Sequence, residues 1–289
     1  MKSVDRIFLI TGSGLLGGAL RNVLNTSGCD FVYLSRSDED DKRKIYSDLS
    51  HSNINIPKNV THVIYAAQSN FSKDFPFKAS DLININFLHP VSLAKKCAEM
   101  GISFTYVSTG SVYKIKENFQ PHFEVDALYN ENLSPYIASK IFAEKTIMDI
   151  NPNSLIVRPF FIFGNNSRKQ SIFPKLIHAI SNNEKIILNG DSGFLFNPIS
   201  SKMCAEQIMF LLNISANGIF NLAGNSDLFL KDVLEFLYSI FKAEPNVVVN
   251  PGYQNFLAST SKILNFGYKY ATDSRIELFD YLEESFKNV

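Results

Sequence analysis

Short runs of consecutive apolar residues alternate with longer amphipathic stretches over the first part of the chain. The runs fall at residues 7–10, 31–34, 63–66, 104–107 and 155–157. Their continuous, β-branched character is typical of strands buried on both faces of a sheet. The stretches between them place apolar residues at helical spacing, as at residues 15–24, 90–100 and 138–150. Strand and helix in repeated alternation predict an α/β fold with a parallel sheet.

The pattern changes beyond Pro159, where a second domain is expected to begin with an aromatic-rich loop at residues 160–171. A helix at 203–212 and a strand at 218–222 are expected to return to the sheet. The pattern therefore predicts two interleaved domains. The larger, sheet-containing domain would comprise residues 1–159 with a returning segment at about 199–224, and the smaller lobe residues 160–198 and 225–289.

Composition and charge narrow the class of protein. The 289 residues are 45% hydrophobic and 19% charged, which is typical of a globular chain. Twenty-eight basic and 28 acidic residues cancel, so no overall field would attract nucleic acid or an anionic membrane. The three cysteines are too scattered for a disulfide framework or a metal site, and no apolar run is long enough for a signal sequence or a membrane span. We expect a cytoplasmic protein without a bound metal.

A glycine-rich segment, TGSGLLG at residues 11–17, lies between the first predicted strand and the first predicted helix. Its Gly-x-Gly-x-x-Gly spacing, in this strand-to-helix context, indicates a dinucleotide site. Glycines allow a tight turn and close approach of the backbone, so a pyrophosphate could bind at the helix amino terminus. An ordinary glycine turn is the alternative. The larger domain is therefore predicted to be a doubly wound Rossmann domain.

The residues after the second predicted strand bear on the choice of cofactor. A dinucleotide site usually has an acid there for the ribose hydroxyls, but this chain has Ser35, Arg36 and Ser37. An arginine can pair with a 2′-phosphate, so we favour NADP(H) over NAD(H). The alternative is that Arg36 belongs only to the neighbouring charged loop. Asp48, followed by Leu49, could accept a hydrogen bond from the adenine amino group.

Tyr136 and Lys140 lie four residues apart in a predicted helix, so both side chains should share one face. Tyr238 and Lys242 repeat this spacing by chance, in a Leu/Phe-rich helix where Tyr238 is expected in the core. A free tyrosine, with a pKa of about 10, is a poor acid–base catalyst at neutral pH. One positive charge about 4 Å away contributes on the order of 4 kcal/mol, enough to lower that pKa by about three. Thr109 follows another predicted strand and could bind the reacting oxygen during hydride transfer.

Together these motifs resemble the extended short-chain dehydrogenase/reductase family, which includes nucleotide-sugar epimerases, dehydratases and 4-keto reductases. The resemblance covers nearly the whole chain, although the family's glycine motif is one residue longer. Further matches are Tyr65-Ala66-Ala67, Asn86, Ser108-Thr109 with Val112-Tyr113, Pro135-Tyr136 with Lys140 and Glu144, and Arg158-Pro159 with Phe163-Gly164.

The resemblance implies roles for individual residues. Tyr136 would be the acid–base residue, Lys140 would also bind the nicotinamide ribose, and Thr109 would position the substrate. Asn86 would support a proton-relay water, with a cap or turn role as the alternative. The residues expected to contact the cofactor are Gly12, Ser13, Gly14, Leu15, Leu16, Gly17, Ser35, Arg36, Ser37, Asp48, Leu49, Ala66, Ala67, Tyr136 and Lys140. The family's habit of pairing helices also implies a homodimer, and the smaller lobe would bind the substrate.

Departures from the family pattern narrow the reaction. Dehydratases of the family carry Asp-Glu after the threonine, whereas Gly110 and Ser111 follow Thr109 here. The family's diphosphate-binding arginine is missing from residues 194–199, where Phe194 and Phe196 could stack on a ring or line the core of the lobe. We therefore expect reduction of a keto group on a nucleotide-linked sugar. A 4-epimerase and a non-catalytic, dinucleotide-binding regulatory subunit are the alternatives.

Overall fold

The computed structural model describes residues 6–36, 40–49, 54–69, 76–114, 116, 120–129, 133–165, 167–252 and 254–287. The chain divides into two compact units that interleave along the sequence. The first unit comprises Met1–Val112, Leu128–Arg158 and Ile208–Phe220, and the second Tyr113–Ala127, Pro159–Gln207 and Asn221–Val289. Tyr113–Ala127, which lie inside the range predicted for the larger domain, group with the second unit.

The described elements are as follows in chain order. The strands are β1 (Ile7–Thr11), β2 (Asp30–Ser35), β3 (Lys44–Tyr46), β4 (His62–Tyr65), β5 (Ser103–Val107), β6 (Leu155–Pro159), β7 (Ile162–Phe163), β8 (Ile186–Asn189), β9 (Leu195–Phe196), β10 (Ile199–Ser200), β11 (Gly218–Leu222), β12 (Leu228–Phe229), β13 (Val247–Asn250) and β14 (Asn255–Phe256). The helices are α1 (Leu15–Thr26), α2 (Ala79–Ile83), α3 (His89–Met100), α4 (Pro135–Ile150), α5 (Ile172–Ser181), α6 (Ser201–Asn213), α7 (Leu230–Phe241), α8 (Ser261–Asn265) and α9 (Ser274–Phe286). A π-helical segment, Asn84–Leu88, joins α2 to α3, and a 3₁₀ turn covers Gly110–Val112.

The central sheet has seven strands in the order β11-β6-β5-β4-β1-β2-β3. The pairings of β1 with β2 and β4, β2 with β3, and β5 with β4 and β6 are parallel. The strand order reverses direction at β1, which is the topology of a doubly wound Rossmann sheet. The prediction of a parallel α/β fold is confirmed, and so is the return of residues 218–222 to the sheet.

Both faces of the sheet are buried, which explains the continuous apolar runs. On one face Leu9, Tyr65 and Tyr106 share a core with Leu93 of α3 and Ile147 of α4. The intervening strand residues point to the opposite face, because successive side chains alternate. Those residues are buried as well, as Phe8, Ile10 and Ile64 are fully covered.

The second unit has its own apolar core and several short strands. β10 pairs with β7, β13 with β8, and β9 lies between β12 and β14. Helices α5, α7 and α9 supply the core, including Leu176, Leu234 and Leu282. The stretch 160–171 was expected to be a loop, but it contains β7. Over the described residues, no helix combines the length and the apolar character that crossing a bilayer requires.

Candidate active site

The glycine turn between β1 and α1 is closely packed on one side and open on the other. Gly12 has a φ of +94°, and a Cβ there would lie 2.9 Å from the Ala67 backbone. A Cβ on Gly17 would lie 1.9 Å from the Gly12 carbonyl oxygen. These two positions therefore require glycine. At Gly14, in contrast, a Cβ would meet nothing within 4 Å.

This open side fits the pyrophosphate of a dinucleotide. Helix α1 begins at Leu15, has no side-chain cap and carries no acid in its first turn. Leu15, Leu16 and Gly17 form the first turn of the helix. The backbone N–H groups of a first turn have no partner within the helix, and together with the helix dipole they favour an anion. Ser13 is exposed beside Gly14, so this part of the turn is accessible.

The proposed ribose-recognition residues lie where β2 and β3 end. Ser35 is buried at the end of β2, and its carbonyl accepts a hydrogen bond from Ser47 N. Arg36 Nη1 lies 3.8 Å from Asp48 Oδ1, with 57% of the arginine side chain exposed. Leu49 is half-buried, and Ser37 lies outside the described residues. The structure thus brings Arg36 and Asp48 together, although sequence reasoning assigned them to different parts of the cofactor.

Ala66 and Ala67 follow β4 and lie against the glycine turn. Ala66 N donates to the Thr11 carbonyl at 3.1 Å, and the Ala67 backbone limits the space at Gly12. Both alanines belong to the same edge of the sheet as the turn. They therefore lie in the same region as the glycine residues with which they were grouped from the sequence.

Thr109 lies directly beyond β5, at the carboxyl edge of the sheet. Its Oγ1 accepts a hydrogen bond from Ser111 N at 3.2 Å, which leaves the hydroxyl proton available as a donor. The neighbouring Ser108 is buried, and its Oγ has no hydrogen-bond partner among the described residues. Open parallel sheets bind ligands at this edge.

Helix α4 carries Tyr136 and Lys140, and its start is well defined. Ser134 caps the helix by accepting a hydrogen bond from Ile137 N, and Pro135 occupies its first turn. Tyr136 is half-buried, and its hydroxyl donates to Gln68 Oε1 at 3.4 Å. Lys140 is only 1% exposed, and its Nζ donates to the Val107 carbonyl at 2.8 Å. Lys140 thereby joins α4 to the strand that leads to Thr109.

The surroundings of Lys140 affect its charge. Burial lowers the pKa of the Lys140 ammonium to about 7, while Glu144 acts in the opposite direction. Glu144 itself forms a buried pair with Arg158, whose Nη2 lies 2.5 Å from Glu144 Oε2. Arg158, one of the residues that carry the resemblance, thus belongs to a buried ion pair. At neutral pH the buried Lys140 side chain is therefore divided between its ammonium and its neutral amine form.

Asn86 lies in the π-helical segment and is engaged by protein groups. Its Oδ1 accepts from Ser69 N at 2.9 Å, and its Nδ2 donates to Ser139 Oγ at 3.1 Å. Ser139 Oγ in turn donates to the Tyr136 carbonyl at 2.7 Å. Asn86 thus connects the chain after β4 to the first turns of α4. The sequence had offered a water-supporting role or a cap, and these contacts indicate a third, connecting role.

Sequence reasoning missed several residues that hold this site together. Ser139 lies between Tyr136 and Lys140 in the sequence, so its place within this motif could have identified it. Tyr106 stood in the apolar run of β5, where nothing distinguished it from a core residue. Gln68 and Ser69 follow β4, and no pattern in the sequence pointed to them.

Two other expectations concern aromatic residues of the second unit. Tyr238 is buried in α7, where its hydroxyl accepts a hydrogen bond from Asn246 N, so its predicted core position is confirmed. Phe196 is fully buried, and Phe194 packs against the same core. Both phenylalanines therefore line the core of this unit. Among the described side chains, no group of three or more His, Cys, Asp or Glu residues is placed to hold a metal ion.

Comparison with known proteins identifies the relatives of this chain. The model of the NAD-dependent epimerase/dehydratase family matches residues 8–223. This match confirms the resemblance inferred from the motifs. The chain is also 24% identical over 176 residues to the probable low-salt glycan biosynthesis reductase Agl14 of Haloferax volcanii. That alignment covers 57% of this chain and about half, 54%, of the relative.

Solved structures show the same fold at low sequence identity. A dTDP-4-dehydrorhamnose reductase from Clostridium acetobutylicum superposes with a TM-score of 0.75 at 18% identity, covering 96% of this chain and 99% of that one. A UDP-glucuronic acid 4-epimerase from Bacillus cereus, solved with UDP-glucuronic acid and NAD, has a TM-score of 0.79 at 18% identity. It covers 98% of this chain and 99% of its own.

Proposed function

Because the chain belongs to the NAD-dependent epimerase/dehydratase family, we propose that it is an NADP(H)-dependent oxidoreductase that reduces the keto group of a nucleotide-linked deoxy sugar. The best support is the 2.8 Å hydrogen bond from Lys140 Nζ to the Val107 carbonyl. It joins the helix of Tyr136 to the strand that leads to Thr109, so a phenol, a hydroxyl and a lysine amino group belong to one edge of the sheet. The names of two relatives, a glycan biosynthesis reductase and a dTDP-4-dehydrorhamnose reductase, agree with this reaction.

Three side chains would have separate roles in the reduction of the substrate. The dinucleotide, when bound, supplies the hydride. Thr109 Oγ1 would donate a hydrogen bond to the keto oxygen and hold it in position. Tyr136 would give its phenolic proton to that oxygen as the alcohol forms, and Lys140 would stabilise the resulting phenolate. Asn86, through Ser139, would keep the first turns of α4 in place.

NADP(H) is the proposed cofactor because a cation follows β2. The ion pair between Arg36 and Asp48 is long and largely exposed, so it should contribute little stability and leave Arg36 free to turn toward a phosphate. Asp48 also supports a second candidate function. A carboxylate 3.8 Å from Arg36 could accept hydrogen bonds from ribose hydroxyls, as in a 4-epimerase that retains NAD.

We also propose that the protein forms a homodimer through α4, the end of α2 and the π-helical segment that follows it. Phe142 on α4 is 58% exposed, and Ile83 and Leu88 also expose apolar surface. In this proposal a partner chain covers these exposed apolar residues. Sedimentation of the wild type and of Phe142→Glu at equal concentrations tests this, and a wild-type monomer would contradict it. The free thiols at Cys97 and Cys204 suit a reducing compartment, and we place the enzyme in the cytoplasm.

The deciding experiment follows NADPH oxidation by purified protein across a panel of nucleotide-linked 4-keto-6-deoxy sugars. We expect loss of NADPH matched by formation of the alcohol, and no reaction with Tyr136→Phe. Interconversion of two sugar epimers without added cofactor would instead identify an epimerase. Dinucleotide binding without turnover of any sugar or epimer would indicate a regulatory subunit.

A further inference from the structure

Tyr106 contacts two parts of the site with opposite ends of one buried side chain. Its ring lies beneath Lys140, with Nζ 4.7 Å from the ring centroid. Its hydroxyl donates to the Asn86 carbonyl at 3.0 Å. Tyr106 has no exposed surface, so both contacts are shielded from water.

The ring contact supplies attraction where Lys140 has few other partners in the described part of the chain. Within that part, the groups that face Lys140 are the Val107 carbonyl, the Tyr106 ring and Glu144, which is already paired with Arg158. Tyr136 lies one turn earlier on the same helix. An ammonium over the face of an aromatic ring is attracted by the ring quadrupole, most strongly when both are desolvated. The ring therefore opposes the cost of burying this charge.

The hydroxyl of Tyr106 provides a hydrogen bond to a carbonyl group of the π-helical segment. In a π-helical segment the backbone hydrogen bonds change register, so carbonyl groups can lose their usual partners. The Ile85 and Asn86 carbonyls belong to buried residues, and two tyrosine hydroxyls bond them. Tyr65 donates to Ile85 O at 2.6 Å, and Tyr106 donates to Asn86 O. These bonds fasten the π-helical segment to the sheet.

We propose that Tyr106 is a positioning residue for Lys140. Its ring holds the ammonium against Val107, while its hydroxyl holds the segment from which Asn86 reaches Ser139. The consequence for catalysis rests on the proposed function, because only there does Lys140 serve hydride transfer. The placement of Lys140 itself can be tested without any substrate.

Tyr65 provides a matched control. It is also a fully buried tyrosine on the adjacent strand β4, and it makes the same kind of hydroxyl bond to the π-helical segment. The ring that lies in cation–π contact with Lys140 is that of Tyr106. Loss of the Tyr65 ring should therefore disturb packing to a similar degree without removing the attraction on the ammonium.

The test is the titration of Lys140 in the cofactor-free protein, followed by NMR of ¹³C-labelled lysine. The Lys140 resonance is the one that disappears in Lys140→Met. Tyr106→Phe keeps the ring, so we expect its midpoint to lie within about 0.3 pH units of the wild type. Replacing Tyr106 with phenylalanines of increasing fluorination keeps the shape but weakens the quadrupole. We expect the midpoint to fall stepwise by about one pH unit in total, and by a similar amount in Tyr106→Leu.

Tyr65→Leu removes a ring that lies 6.1 Å from the Tyr106 ring but leaves Tyr106 against Lys140, so the midpoint should move by less than about 0.3 pH units. The proposal is overturned if the fluorinated variants titrate like Tyr106→Phe, or if Tyr65→Leu moves the midpoint as far as Tyr106→Leu. Since the fluorinated variants keep the size of the core, they report on the ring even if Tyr106→Leu fails to fold. For an active enzyme, the pH profile of kcat should move with the same midpoints. Absence of turnover on all sugars would refute the proposed function and leave the titration result intact.

Discussion

Replacing Lys140 with methionine should abolish turnover and yet make the protein more stable at neutral pH. Burial lowers the pKa of Lys140 from an ordinary 10.5 to about 7. At 1.36 kcal/mol for each pKa unit, the folded state loses about 4 kcal/mol near pH 7 relative to an unfolded chain in which this lysine is charged. Methionine has a similar length and needs no solvation. It leaves the Val107 carbonyl without a donor, which costs about 1–3 kcal/mol. The net gain should be on the order of 1–3 kcal/mol.

The pH dependence of this gain in stability follows from the direction of the Lys140 pKa shift. Because the folded pKa lies below the unfolded one, the unfolded chain binds more protons between about pH 7 and pH 10.5. The stability of the wild type therefore rises relative to Lys140→Met through this window, and the advantage of the variant should disappear by its upper end. The same pKa values predict the largest advantage below pH 7.

Denaturant unfolding of both proteins at several pH values from 6.5 to 10 measures this difference. Lys145→Met is the matched control, because Lys145 lies on the same helix with its side chain exposed. That control should change stability by less than about 0.5 kcal/mol at every pH. The reasoning is refuted if Lys140→Met is less stable than the wild type at pH 7. It is also refuted if the difference between them stays constant up to pH 10.

Three further perturbations test the remaining parts of the site. Tyr136→Phe should lower kcat about 100- to 10,000-fold with cofactor affinity retained, whereas Tyr238→Phe should leave kcat unchanged; a loss of less than tenfold in Tyr136→Phe contradicts the assigned role. Arg36→Ala should weaken NADPH binding by about 10- to 150-fold and spare NADH, as measured by fluorescence titration, and equal affinities in the wild type contradict the choice of NADP(H). Gly17→Ala should destabilise the fold, because the added Cβ would collide with the Gly12 carbonyl oxygen. Gly18→Ala places its Cβ in open space and should stabilise α1 by up to about 1 kcal/mol. Thermal unfolding measures both variants, and equal shifts in Tm would show that the glycine turn can relax.

Much of the fold could be predicted because strand and helix depend on local periodicity. The buried strands of the central sheet were visible as apolar runs, since each needs apolar residues on both faces. The short strand β7 was not visible. Its two residues, Ile162–Phe163, form a strand only through their pairing with β10, which lies 37 positions away in register. A pairing partner of this kind leaves no periodic pattern in two residues.

At the site, the sequence by itself determined that Tyr136 and Lys140 share a helical face and that a glycine turn precedes α1, because both depend on spacing within a few residues. Only the tertiary structure decided which groups surround them. Asn86 bonds residues 17 and 53 positions away, and the Tyr106 hydroxyl reaches 20 positions back along the chain. The tertiary structure also decided that Arg36 faces Asp48. Contacts of this kind depend on which strands become neighbours and on how α4 packs against the sheet, and no local pattern in the sequence records that packing.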